Sequence, residues 1–131
     1  MTMVNHLIEE KIMPRVVHFE INADKPERAA TFYKKSFGWK VAKWKGPMDY
    51  WMCMTGKKGQ PGIDGAIMRR MKKATTVNTI TVPSLNTYLQ KVKKAGGKQV
   101  MKEETIPGVG LFAYCTDTEG NVFGLLQPKM K

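Results

Sequence analysis

His18 and Glu20 stand two residues apart in the segment VVHFEIN (Val16–Asn22). Alternate residues of a strand point to one face, so this segment would set an imidazole beside a carboxylate. Imidazole changes its charge near neutral pH, and a carboxylate next to it can orient the ring or share its proton. That pairing suits general acid–base chemistry, or a hydrogen-bonding contact to a small molecule. The alternatives are a histidine satisfied inside the fold and a carboxylate at a rim or interface. His6 lies near the N-terminus and carries no motif.

Other residues could form the walls of a site. Tyr50, Met52 and Met54 alternate on one strand face, and Phe112 and Tyr114 share a face on another. Such walls would be aromatic and soft, because methionine adapts to varied apolar ligands; ordinary core packing is the alternative. Thr79 and Thr81 share a face with Val77 and would add polar contacts. Arg69 offers a guanidinium fork for a carboxylate or phosphate, against the alternative of a solvated pair with Arg70. Dinucleotide and nucleotide phosphate loops, a nucleophile elbow and the HExxH zinc motif are all absent from the sequence. Gly108, Val109 and Gly110 read as a turn.

The elements that must position these residues are legible in the pattern. After the strand at Val16–Asn22 come Asp24, Pro26 and Glu27, which suit a helix start: a side-chain cap, a proline in the first turn and a reciprocal carboxylate. Ala29, Phe32, Tyr33 and Phe37 then recur at helical spacing, and Gly38 suits a left-handed helix end. Strand-like runs follow at Trp39–Trp44, Asp49–Thr55 and about Gly65–Met71. The order then repeats. Val77–Val82 is a strand, and Ser84 caps a helix with the apolar face Leu85, Tyr88, Leu89, Val92 and Ala95. Gly96 and Gly97 end it, and strands are expected at Lys98–Lys102, Gly110–Thr116 and Asn121–Gln127. The later strands of each half are too close for helical crossovers, which points to mixed sheets of an α+β protein. The halves fall at about 16–72 and 76–128 of a single domain, 16–131, preceded by an arm, 1–15. In that arm Val4, Leu7, Ile8 and Ile12 are spaced for an amphipathic helix that packs on a partner subunit, with a frayed terminus as the alternative.

A chain of 131 residues suits one domain and can bury a substantial core without disulfides. Cys53 and Cys115 lie far apart within apolar runs, which implies buried, reduced thiols and a reducing, cytoplasmic setting. No stretch is long and apolar enough to span a membrane, and Glu9, Glu10 and Lys11 interrupt any secretory signal. The net charge is +11, and no acidic residue occurs between Gly65 and Lys102. A positive field favours anionic partners. Lysines on helix backs are usually just solvated, so charge alone does not argue for nucleic acid.

The repeated βαβββ unit carries a family likeness together with two runs. They are RAATFYKKSFGWKV (Arg28–Val41), with Phe32, Tyr33, Phe37, Gly38 and Trp39, and DTEGNVFGLLQ (Asp117–Gln127), with Asp117, Gly120 and Asn121. The chain resembles the glyoxalase/bleomycin-resistance/dioxygenase superfamily, the vicinal oxygen chelate proteins, from Val16 to about Pro128. The stretch IPGVGLFAY (Ile106–Tyr114) looks like its uncharacterised lyase-related subgroup. The resemblance implies two curled mixed sheets around a cup-shaped cavity, and homodimers. It also implies, in metal-dependent members, a divalent ion held by four side chains that acts as a Lewis acid.

Residue by residue the implied ligand set is mostly lost. His18, fourteen residues before Phe32, matches the first ligand. The second should lie in Gly65–Met71, which offers Ala66, Ile67, Met68 and Arg69. The third falls on Val77, beside Asn78. The last, a glutamate four residues after the glycine of the turn, falls on Gly124. A catalytic site normally supplies about three protein ligands. The expectation is therefore a homodimeric member with no cofactor that binds a small anionic or aromatic molecule, with His18 and Glu20 as an acid–base pair and Tyr50, Met52, Met54, Arg69, Thr79, Phe112 and Tyr114 around the ligand. The alternative is a lyase or isomerase of the lactoylglutathione-lyase kind on a small carbonyl compound, with His18 as the one residue left to a metal.

Overall fold

The computed structural model describes residues 14–71 and 73–129. The arm that the sequence pattern suggests falls almost wholly outside the described residues. The chain divides into two compact units, one spanning Val17–Asn78 and the other made mainly of the chain from Thr79 onward.

The first unit runs β1 (Arg15–Ala23), α1 (Pro26–Phe37), β2 (Lys40–Lys43), β3 (Tyr50–Met54) and β4 (Gly65–Arg69). Its sheet is ordered β2-β3-β4-β1. β1 and β4 are parallel, with Phe19 opposite Gly65 and Glu20 opposite Ala66, and the other pairs are antiparallel. The sheet is therefore mixed, as the short spacings require. Gly65 is needed at its place: a Cβ there would lie 2.5 Å from the Phe19 carbonyl oxygen.

Helix α1 carries proline in its first turn, and Gly38 closes it at φ 71°. The expected cap does not form. Lys25 holds the cap position without a side-chain bond, while Asp24 accepts from Arg70 Nε at 2.8 Å. Asp24 lies one residue too early, and the guanidinium takes its carboxylate. The helix face also differs from expectation. Ala30 and Tyr33 pack with Ala23, Trp51, Cys53 and Ile67, whereas Phe32 and Phe37 are exposed. Phe32 lies two residues beyond Ala30, roughly 200° around the helix, and Phe37 stands in the last turn. Tyr33 stacks on Trp39 with ring centroids 4.9 Å apart, and Phe37 leans on Trp39.

β5 (Thr76–Thr81) begins in the first unit and ends in the second, which runs on through α2 (Leu85–Lys94), β6 (Lys98–Gln99), β7 (Glu104–Ile106), β8 (Gly110–Thr116) and β9 (Val122–Pro128). These strands follow the order β5-β9-β8-β6, with β7 also paired to β8. The strand expected at Lys98–Lys102 is shorter than its pattern suggests, and β7 was not foreseen. Ser84 caps α2 by accepting from the Thr87 amide. The core here is Val82, Leu85, Leu89, Ala113, Cys115 and Leu125. Burial of each large aliphatic side chain stabilises by about 1.5–3 kcal/mol. The turn before β9 is tied by Asp117, whose carboxylate accepts from the amides of Glu119 and Asn121 and from Asn121 Nδ2.

The two tandem βαβββ units of an α+β protein are thus present, with β7 as an addition. Among the described residues no helix is long and apolar enough to cross a membrane.

Candidate functional site

β1 divides its residues between two tasks. Phe19, Ile21 and Ala23 alternate with His18, Glu20 and Asn22, and Ile21 and Ala23 join the core beneath α1. His18, Glu20 and Asn22 therefore occupy the face turned away from the helix. Register carries this face across the sheet: Glu20 lies opposite Ala66, Ala66 opposite Met52, and Met68 opposite both Asn22 and Tyr50. Tyr50, Met52 and Met54 accordingly share the face of His18 and Glu20.

Glu20 is only 4% exposed. A buried carboxylate is costly unless it accepts hydrogen bonds. The Tyr50 hydroxyl donates to Glu20 Oε2 at 2.7 Å and lies 2.7 Å from His18 Nε2. To reach β1 from β3, the Tyr50 side chain must pass over β4, where the residue level with Glu20 is the small, fully buried Ala66. His18 and Glu20 are thus brought together through a third residue. Burial holds the His18 imidazole below its ordinary pKa, with Glu20 and then Asp64 acting in the opposite sense. Asp64 is itself fixed by the amide and hydroxyl of Thr55.

Asn22, two residues beyond Glu20, accepts from the Met71 amide through Oδ1, while its buried Nδ2 has no partner. Met52 and Met54 are exposed at 39% and 52%. Arg69 is not brought to this group. It lies on the helix side of the sheet, exposed, and pairs with Asp49 at 3.2 Å beside Lys43. The hydrogen bond from Arg69, and after it the charge of Lys43, holds the Asp49 carboxyl below the usual range.

In the second unit Thr79, Phe112, Tyr114 and Gly124 come together. Phe112 and Tyr114 meet edge to face at 4.7 Å, and Tyr114 lies opposite Gly124. A Cβ placed on Gly124 would be 2.5 Å from Phe112 Cζ and 3.3 Å from Thr79 Oγ1. The Thr79 hydroxyl is buried without a partner. Val77 is buried as an apolar residue. The residues at the implied ligand positions do not fit a divalent ion: one imidazole stands among them, and the Phe112 ring lies where a side chain at 124 would begin. Among the described residues no three His, Cys, Asp or Glu side chains form a group able to hold a metal.

Two features escaped the sequence reading. Tyr50 was expected as a wall and is the bridge, and Asn22 was not singled out. Period-two alternation places Asn22 on the face of Glu20, so that signal was present; nothing in the sequence reveals that Tyr50 reaches across a neighbouring strand.

The family model described as Glyoxalase/Bleomycin resistance protein/Dioxygenase superfamily matches residues 15–125. No curated protein matches the chain in sequence. Several solved structures share the fold. A methylmalonyl-CoA epimerase from Mycobacterium tuberculosis is 12% identical, with 88% of each chain covered and a TM-score of 0.65. A variant of the Streptomyces coelicolor methylmalonyl-CoA epimerase in complex with 2-nitronate-propionyl-CoA is 11% identical, covering 90% of this chain and 99% of that one, with a TM-score of 0.67. A hypothetical protein from Bacillus halodurans is 12% identical, covering 89% and 96%, with a TM-score of 0.65.

Proposed function

The chain belongs to the glyoxalase/bleomycin resistance protein/dioxygenase superfamily, and we propose that within it the protein is a metal-independent binder of a small anionic or aromatic molecule. One observation carries this reading: the Phe112 ring occupies the place where a side chain at position 124 would begin. In the first unit His18, Tyr50 and Glu20 supply a polar group and Met52 and Met54 an adaptable apolar surface; within the second unit Thr79, Phe112 and Tyr114 form a group of their own. The net charge of +11 favours an anion. The Streptomyces epimerase is seen with an anionic CoA compound, and a ligand of that kind suits this charge. The buried thiols Cys53 and Cys115 accord with a reducing, cytoplasmic setting, and a homodimer is the expected assembly.

The test is titration of dialysed, untagged protein with nickel, zinc and manganese in a thermal-shift assay, followed by native mass spectrometry. No metal shift and a retained small molecule are expected. One equivalent of metal, with a shift abolished by His18→Ala, would overturn the reading.

A second reading is favoured by the Tyr50 bridge. His18 would accept a proton from carbon next to a carbonyl group, the electron pair would move onto the carbonyl oxygen as an enolate, and the proton would return to carbon. This is isomerase chemistry on a small carbonyl compound, and no metal enters the step. Deuterium incorporation into such a compound, unchanged by His18→Ala, would exclude it.

A further inference from the structure

The hydrogen bonds around Tyr50 fix where the His18 proton resides. A phenolic hydroxyl has one proton to donate. In this site that proton goes to Glu20 Oε2, 2.7 Å away. The contact at 2.7 Å between Tyr50 Oη and His18 Nε2 must then be donated by the ring nitrogen. Neutral imidazole carries one N–H and one lone pair, so the lone pair is on Nδ1. Burial favours that neutral form.

The second observation concerns Nδ1 itself. His18 has one hydrogen bond among the described residues, the one at Nε2. Among the described residues, the buried side-chain atoms lacking a partner are Asn22 Nδ2 and Thr79 Oγ1. His18 Nδ1 has no bond among the described residues and is not one of these buried atoms, so it is not sealed inside the fold. It lies on the sheet face of Met52 and Met54, both exposed.

We propose that His18 presents Nδ1 as a hydrogen-bond acceptor, with Tyr50 as the positioning residue that sets this tautomer, and that the ligand meets it through a donor group: a phenolic or other weakly acidic O–H or N–H. The inference rests on the reading of this face as a small-molecule site and narrows it. A lone pair repels a carboxylate or phosphate oxygen placed against it. Any negative charge on the ligand is therefore carried away from His18, and an aromatic hydroxy compound suits the site better than a simple aromatic acid.

The experiment uses the full chain with His6→Gln, which leaves one imidazole, and reads the ring nitrogens of His18 by isotope-edited NMR. Protonated Nε2 and bare Nδ1 are expected. Tyr50→Phe should collapse this preference into a mixture of tautomers. Glu20→Gln, which keeps an oxygen able to accept from Tyr50, should preserve it. Phenol, anisole and benzoate are then titrated. Phenol should move the Nδ1 resonance and bind about tenfold more tightly than anisole, which has the same ring and no donor. A bare Nε2, or a tautomer unmoved by Tyr50→Phe, would overturn the inference while leaving small-molecule binding intact. Equal binding of phenol and anisole, or preferred binding of benzoate against His18, would overturn the ligand class. Failure of all three probes to bind would overturn the ligand class together with the reading of the site.

Discussion

The edge of the Phe112 ring lies 2.5 Å from where the first side-chain atom of residue 124 would stand. Phe112 on β8 and Gly124 on β9 are near neighbours in register, since Gly124 pairs with Tyr114 two residues further on. The glycine and the ring therefore form one packed arrangement. An acidic side chain at 124 would fit only if the Phe112 ring moved aside.

Gly124→Glu is accordingly expected to lower stability by about 1–3 kcal/mol from overpacking alone, with a further cost for the buried carboxylate. It should gain no affinity for nickel or zinc. Urea denaturation and metal titration check both points. Saturable metal binding by the single variant would show that Phe112 yields easily, and would undo the steric argument. Phe112→Ala combined with Gly124→Glu should be more stable than the sum of the two single changes predicts.

Thr79 makes a prediction of opposite sign. Its hydroxyl is buried without a hydrogen bond, and an orphaned buried hydroxyl costs about 1–3 kcal/mol. Thr79→Val preserves the branched shape and removes the orphan. The variant is expected to be more stable by about 1 kcal/mol in the ligand-free protein. A loss of stability in equilibrium unfolding would mean that the hydroxyl is satisfied.

Asp117 ties the turn between β8 and β9. Hydrogen bonds from Asn121 and then Glu119 hold its carboxyl below the ordinary value of 3.8. A carboxyl whose pKa is depressed in the fold adds stability at pH above its unfolded value. That contribution declines as the pH falls through the lower folded value. Asp117→Ala should therefore unfold at a lower temperature than wild type near neutral pH, and the difference should shrink once the pH drops below 3.8. A gap that stays constant down to strongly acidic pH would assign the effect to the turn backbone instead.

Cys53 and Cys115 are buried thiols. Burial raises the Cys53 pKa to about 11, with Asp64 adding to the effect, and burial also raises that of Cys115. Thiolate is the reactive species. At pH 8 the folded protein should resist iodoacetamide, and both thiols should react on unfolding in urea. Mass spectrometry counts the adducts. Rapid alkylation of the native protein at either position would contradict the burial described.

Much of this architecture was legible because local signals agree with the fold. The limits of β8 match the expected Gly110–Thr116, and Ser84 caps its helix as its place before Leu85 suggests. Local signals failed where a distant group competed. Arg70 is far from Asp24 in sequence and removes it from capping duty. Phe32 belongs to the apolar spacing of its helix yet lies off the stripe that Ala30 and Tyr33 define. The site was half legible for the same reason. Alternation placed His18 and Glu20 on one face and could have placed Asn22 there. The bridge depends on Tyr50 reaching over β4 to β1, a relationship set by strand register between segments far apart in the chain. Arg69 looked well placed by position alone, but register sets it on the helix side with Asp49.

The alternation along β1 also limits how this protein can change over time. Adjacent residues of one short strand serve the hydrophobic core and the polar group in turn. A one-residue insertion or deletion between His18 and Asn22 would slip the register and exchange the two faces. Glu20 would be driven under α1 as Ile21 moved out beside Tyr50, so folding and ligand chemistry would be lost in the same event. The strand can evolve by substitution, one face at a time, but not by change of length.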